Sequence, residues 1–291
     1  MSEFLSPYRG RIAPSPTGLL HVGHARTFWT AYCRARQAGG TLVLRNEDLD
    51  PQRSKAEFAN AMLEDLHWLG IHWQEGPDVG GTFGPYSQSQ RRSYYVAVWK
   101  QLLDRGSIYP CTCSRRELSE IAQAPHESAR GAARLEGDEG PMYPGTCRSK
   151  GQSPAQGRES PAGVNWRFRV PDGEVVAFED EHFGPQRFLA GEDFGDFPVW
   201  RRDDVPAYQL AVVADDEAMR ITEVVRGADL LLSTARQILL YRALGWQAPR
   251  WYHCPLVVDK QGERLAKRHD ALAIRTLRGH GKTPEQVLGI D

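Results

Sequence analysis

The chain has 291 residues, enough for a sizeable core in one large domain or two small ones, and its 41% hydrophobic and 25% charged residues are ordinary for a globular protein. A formal net charge of -1 excludes a uniformly basic nucleic-acid-binding surface and leaves only a local basic groove for a phosphate backbone. No apolar run approaches the roughly 18 residues of a membrane span, the start lacks a signal-peptide pattern, and Cys33, Cys111, Cys113, Cys147 and Cys254 are spaced too unevenly for a disulfide framework, so a cytoplasmic protein with no membrane partner is expected.

Residues 8 to 13 read as a short strand, followed by a Pro/Ser/Gly loop and a helix over Val22–Gln37 that Gly39 and Gly40 close. Thr41–Arg45 is an apolar run bounded by Gly and by Asn46-Glu47-Asp48, which suits a buried strand and opens a βαβ unit. Ser54-Lys-Ala-Glu57 predicts a capping box for a helix whose apolar residues Phe58, Met62, Leu66 and Leu69 recur at helical spacing. Ser87-Gln-Ser-Gln90 predicts the same for a helix to about Arg105, stopped by Gly106.

From Cys111 to Gly163 the pattern dissolves into Gly, Pro, Ser, Glu and Arg, as expected of an inserted module with a mobile tail. Trp166–Val170 and Val175–Phe178 are short β runs, and Tyr208–Val213 has the composition of a buried strand. A helix from Ser233 or Thr234 to Leu244 has a hydroxyl cap and Gly245 just beyond its end. Pro255–Val258 reads as the last strand, and Thr283-Pro284-Glu285 as the cap of a short final helix.

Two stretches carry chemistry. Arg11-Ile-Ala-Pro-Ser15-Pro-Thr-Gly18 leads into His21-Val-Gly23-His24, where a strand and a loop open a helix whose free N–H groups favour anionic phosphate. Gly23 allows adenine to lie against the backbone, and the two imidazoles can donate to phosphate oxygens as charge builds; the alternative is a pair of capping or core histidines. Near the other end, Arg264-Leu-Ala-Lys267-Arg268 is a basic stretch after a strand, and a flexible loop lysine there can swing a compact charge onto an anion. Its alternative is a solvated basic loop.

Together these stretches resemble the paired signatures of the glutamyl group of class I aminoacyl-tRNA synthetases, and the similarity runs from about Arg9 to Asp270. The second stretch departs from that family's Lys-Met-Ser-Lys-Ser pattern at Arg264 and Ala266. The resemblance implies catalytic and ATP-binding roles for His21, His24 and Lys267, with Gly23 also at the nucleotide. It implies an L-glutamate pocket of Arg11 and Ser15 for the side-chain carboxylate, Glu47 for the α-ammonium group, and Tyr208 and Arg226 completing it. Bidentate arginine is the natural partner for a buried carboxylate. Magnesium is expected to arrive with ATP.

Cys111-Thr-Cys113 and Tyr143-Pro-Gly-Thr-Cys147 resemble the zinc site of a smaller subgroup, the glutamyl-Q tRNA(Asp) synthetases. Three thiolates and one phenolate fill a closed tetrahedral shell, which suits one structural Zn2+. His126, inside the 29-residue span between Cys113 and Tyr143, is a competing ligand, and buried free thiols are the alternative. Cys33 and Cys254 read as core thiols.

The expected fold is α/β, a Rossmann-like nucleotide-binding parallel sheet with an inserted zinc-binding and β-rich module. Residues 1–110 form the first half of the catalytic domain, 111–189 the insertion, 190–270 the second half with the signature loop, and 271–291 a short end. Only 23 residues follow Arg268, so no anticodon-binding domain is expected. The subgroup resemblance then implies activation of glutamate to glutamyl-adenylate and transfer to queuosine in the anticodon loop of tRNA(Asp), by a monomer. A short enzyme charging the tRNA's terminal ribose and a catalytically silent RNA-binding paralogue are the alternatives. Trp166 and Trp200 are candidates either for base stacking or for the core.

Overall fold

The computed structural model describes residues 7–114, 142–148, 158–257 and 273–290. In chain order the elements are β1 (Arg9–Ile12), α1 (Val22–Gln37), β2 (Thr41–Leu44), α2 (Ala56–Trp68), α3 (Arg92–Asp104), β3 (Ile108–Cys111), β4 (Asn165–Phe168), β5 (Val175–Asp180), β6 (Gly184–Leu189) and β7 (Pro198–Trp200). They continue with α4 (Tyr208–Ala218), β8 (Glu223–Gly227), α5 (Leu231–Leu244), β9 (Arg250–Cys254), α6 (Ile274–Gly279) and α7 (Pro284–Leu288).

β1 and β2 pair in parallel through the α1 crossover, with Arg11 opposite Val43, and β8 and β9 pair in parallel through α5, with Arg226 opposite His253. The two pairs meet where β1 lies beside β8. Thr222 N–H donates to the Arg9 carbonyl at 2.9 Å, and Arg9 N–H donates to Thr222 Oγ1 at 2.8 Å. Two residues further on, the Val225 carbonyl of β8 takes its bond from the Arg11 guanidinium at 3.0 Å rather than from a backbone N–H. The sheet therefore divides between β1 and β8, with strands of opposite connection on either side, and such a switch point at the carboxyl ends of parallel strands is where α/β sheets bind ligands.

A hairpin of β5 and β6 adds to the β9 side through Asp180 and Trp251. β3, β4 and β7 form a separate antiparallel sheet. One apolar cluster lies among β1, β2, α1 and α2 (Ile12, Phe28, Leu44, Leu66), and another joins the antiparallel sheet to α3, α4 and α5 (Trp99, Trp166, Trp200, Leu210, Leu240).

The α/β fold with a parallel sheet is as the sequence implies, and α1 spans the predicted residues. Other elements differ. Tyr208–Val213 is not a strand but the first half of α4: every residue from Gln209 to Asp216 is buried. A helix covered on all sides shows no amphipathic period, so its Leu-Ala-Val-Val-Ala run imitates a buried strand. The last parallel strand is Arg250–Cys254 rather than Pro255–Val258; residues 255–257 are irregular and Val258 lies outside the described residues.

Several hydroxyls predicted as caps are used elsewhere. α5 starts at Leu231, and Ser233 and Thr234 sit inside it with their side chains on buried partners. α2 begins after Lys55 with no side-chain cap, and Ser87 takes the Asn46 amide at 3.3 Å instead of capping. Thr283 does cap α7, reciprocally with Gln286. Trp166 and Trp200 are fully buried, so neither is a stacking surface for RNA. The expected mobile tail falls mostly on 149–157, outside the described residues.

Candidate active site

The first signature is built by helix capping. His21 is the extended N-cap of α1 (φ -122°, ψ 172°), and its Nδ1 accepts the Gly23 N–H at 3.1 Å. In return His24 Nδ1 accepts the His21 N–H at 3.3 Å, and the two rings lie 3.7 Å apart. A neutral imidazole that accepts at Nδ1 carries its proton on Nε2. Capping engages Nδ1 of each ring at a helix N-terminus, where the dipole favours an anion, so the capping alternative does not exclude the phosphate-binding one.

Gly23 is tied to the same geometry, because a Cβ there would lie 3.0 Å from His21 Cε1 and press on the capping ring. Ala273 pairs with His21, and Ile274 N–H donates to the Leu20 carbonyl at 2.9 Å. The chain therefore returns to the first signature directly after residues 258–272, which include Arg264, Ala266, Lys267 and Arg268 and lie outside the described residues.

At the division of the sheet, four of the five residues expected to hold the amino acid come together. Arg226, Glu47 and Arg11 all lie close enough for their charges to act on the Tyr208 phenol. Arg11 is 4% exposed; it donates to the Val225 carbonyl, and its Nε lies 3.4 Å from Asp216 Oδ1, an ion pair without hydrogen-bond geometry. Glu47 follows β2, with its N–H on the Pro14 carbonyl at 3.0 Å and Oε1 accepting from Arg45 at 3.0 Å. Burial raises its carboxyl above the ordinary value against the pull of Arg45 and Arg11.

Tyr208 opens α4 and is 37% exposed, enough for a ligand to reach it, and desolvation within the cleft raises its phenol. Ser15 is exposed in the loop after β1.

Several residues that organise the pocket were not singled out from the sequence. Arg45 is fully buried between Glu47 and Asp216, which accepts at 2.6 Å. Asp215 takes Arg91 at 2.6 Å, Gln88 at 2.8 Å and Tyr95 at 2.9 Å. Arg226 donates to Thr234, Gln237 and His253, and His253 Nδ1 lies 2.6 Å from Asp180. Burial, reinforced by Arg226, lowers His253 from 6.5 to about 4 despite Asp180. The Asp215-Asp216 pair in an otherwise apolar run was the one readable signal, since buried carboxylates need cationic partners.

The cysteine cluster is separate. Cys111 ends β3, and Cys113, Tyr143 and Cys147 close around it. The three sulfurs lie within 4.8 Å of one another. Cys113 and Cys147 sulfurs are 3.5 Å apart, and the Tyr143 hydroxyl is 3.5 Å from Cys111 Sγ and 3.6 Å from Cys113 Sγ. A tetrahedral zinc with Zn–S bonds of about 2.3 Å sets its ligands roughly 3.5–3.8 Å apart. The donor set therefore fits a closed zinc shell. Burial opposes ionisation of Cys147, but the Tyr143 hydroxyl and Thr112 outweigh it and bring the thiol down to about 6. Cys254 is buried in β9, as a core thiol should be, whereas Cys33 in α1 is only half-buried; His126 lies outside the described residues.

The model for the family of class I tRNA synthetases (E and Q), catalytic domain, matches residues 8–290, and the chain belongs to this family of ATP-dependent ligases. It is 50% identical to a glutamyl-Q tRNA(Asp) synthetase of Nitratidesulfovibrio vulgaris over 97% of this chain and 84% of that one. A glutamate–tRNA ligase of Nitrosococcus oceani is 44% identical over 95% of this chain and 57% of its own length. Among solved structures, a glutamate tRNA ligase from Elizabethkingia meningosepticum, crystallised with its amino acid, superposes with a TM-score of 0.76 at 31% identity, covering 91% of this chain and 53% of that chain. The chain thus spans about half the length of that ligase. No described helix is long and apolar enough to cross a membrane.

The depressed His253 pKa predicts a pH effect on stability. The unfolded imidazole gains its proton as pH falls through 6.5, whereas the folded one resists until about 4, so stability present above pH 6.5 is lost towards pH 4. The loss from this group is about 2 kcal/mol between pH 7 and pH 5. Denaturant unfolding of the wild type and of His253→Gln at both pH values checks it: the wild type should lose more stability than the variant, and equal losses would contradict it.

Proposed function

We propose that the chain activates L-glutamate with ATP and transfers it to the queuosine base in the anticodon loop of tRNA(Asp). The observation that carries this reading is the identity of 50% and 49%, over nearly the whole chain, to two proteins named glutamyl-Q tRNA(Asp) synthetase. Identity to the glutamate–tRNA ligase of Nitrosococcus oceani is 44%. The sulfur and phenol cluster supports the same reading, because that donor set resembles the subgroup's zinc site.

In this proposal a glutamate α-carboxylate oxygen attacks the α-phosphorus of ATP, the bond to the β-phosphate breaks, and pyrophosphate leaves. A hydroxyl of the queuosine cyclopentene diol then attacks the adenylate carbonyl and AMP leaves. Arg11 and Ser15 receive the side-chain carboxylate, and Glu47 receives the α-ammonium group. Glu47 suits that role because only an ionised carboxylate pairs with an ammonium, and a bound cation would favour its ionised form against burial.

Tyr208 and Arg226 complete the pocket. His21 and His24 supply Nε2–H donors to the phosphates beside the Gly23 backbone, where added negative charge strengthens their bonds. Lys267, six residues before the Ala273 that pairs with His21, supplies charge to the departing pyrophosphate. Magnesium enters with ATP and neutralises its phosphates.

Cys111, Cys113, Tyr143 and Cys147 would hold the zinc, which would cross-link the end of β3 to the 142–148 turn. Metal analysis of protein purified without chelators should find one zinc per chain. Removal should lower the unfolding temperature, and Cys147→Ser should abolish stoichiometric binding with the parallel catalytic sheet intact. A chain that binds no zinc, or binds it equally after Cys147→Ser, contradicts the assignment.

Activation is checked by exchange of labelled pyrophosphate into ATP. Exchange should require glutamate and proceed without tRNA, and Lys267→Ala should cut kcat by at least about tenfold with glutamate KM nearly unchanged, since its charge acts on the developing leaving group. A folded protein without exchange would favour the silent RNA-binding alternative; an effect confined to glutamate KM would remove Lys267 from this role.

A further inference from the structure

Arg226 is 4% exposed, yet no carboxylate pairs with it among the described residues. Its Nε donates to His253 Nε2 at 3.2 Å, one terminal nitrogen to Gln237 Oε1 at 2.9 Å and the other to Thr234 Oγ1 at 2.6 Å. All three acceptors are neutral when His253 is unprotonated, and a second layer orients two of them. Gln237 donates onward to Gln209 Oε1 at 2.9 Å, and Gln209 donates to Ser233 Oγ at 3.0 Å, which turns the Gln237 oxygen towards the guanidinium.

His253 can accept at Nε2 only if its proton sits on Nδ1, and Nδ1 faces Asp180 Oδ2 at 2.6 Å. Asp180, 1% exposed at the end of β5, is itself held by the N–H groups of His182, Phe183 and His253 at 2.8–3.1 Å.

We propose that Asp180 and His253 are positioning residues of the amino-acid pocket: the pair fixes the tautomer whose Nε2 accepts from Arg226, aiming that guanidinium with a neutral group and leaving its charge for the ligand's carboxylate. A carboxylate in place of His253 would aim Arg226 equally well but neutralise it. A protonated imidazole would lose the acceptor and repel the guanidinium. The inference rests on the reading above that Arg226 faces an anionic group of the substrate.

Glutamate-dependent pyrophosphate exchange on the full chain tests it. His253→Leu removes the acceptor and should raise glutamate KM about tenfold or more, the scale of one hydrogen bond to a charged group, while ATP KM stays within about twofold. His253→Gln, whose Oε1 takes the place of Nε2, should recover most of the loss. Unchanged glutamate KM in a folded His253→Leu protein, equal rises for glutamate and ATP, or failure of glutamine to rescue would overturn the proposal.

Nitrogen-15 NMR of the His253 ring tests the pair without substrate. A neutral ring protonated at Nδ1 supports it; one protonated at Nε2 overturns it whether or not the variants fold. Absence of exchange in the wild type would instead overturn the glutamate reading, with the ring spectrum still deciding the tautomer.

Discussion

A guanidinium buried without a carboxylate is the constraint around which the pocket is arranged. Removing a cation from water is costly unless polar groups replace the lost hydration, and Arg226 is supported by a hydroxyl, an amide oxygen and an imidazole nitrogen. Neutral dipoles solvate the charge without cancelling it. In the proposed reading that charge is left for an anionic group of the substrate.

The carboxylates nearby are committed to other arginines. Asp215 is held by Arg91, Gln88 and Tyr95; Asp216 lies between Arg45 and Arg11, and Glu47 rests on Arg45. This network joins α4 to β1, β2 and α3 across the division of the sheet, so the charges that shape the pocket also fasten the elements that carry it. Arg11 bonds the Val225 carbonyl where the pairing of β1 with β8 stops, and its Nε faces Asp216 of α4. The division that makes room for a ligand is thus closed from below by the residue expected to bind it.

What could be read from the sequence follows from how local each feature is. The strand, loop and helix of the first signature were legible because proline, glycine and the cap residues act within a few positions of themselves, and α1 occupies the predicted span. α4 was misread because burial on every side erases the helical period, and β9 was misplaced because polar Arg250 and His253 hide a strand whose identity comes from pairing with β8. Thr234, Gln237, His253 and Asp180 escaped for a related reason. They lie on three elements and mean nothing until folding brings them to one guanidinium. The cysteine and tyrosine ligand set was legible only through its resemblance to a known site, and the structure adds separations that a tetrahedral ion requires.

Family membership accounts for glutamate activation more directly than for the acceptor, because glutamate–tRNA ligases and glutamyl-Q tRNA(Asp) synthetases share the domain that this chain matches. The acceptor is therefore the claim most worth testing. Labelled glutamate should be offered, with ATP and the purified chain, to bulk tRNA from normal cells and from cells unable to make queuosine. The account predicts label on the first tRNA and none on the second; equal labelling of both would contradict it.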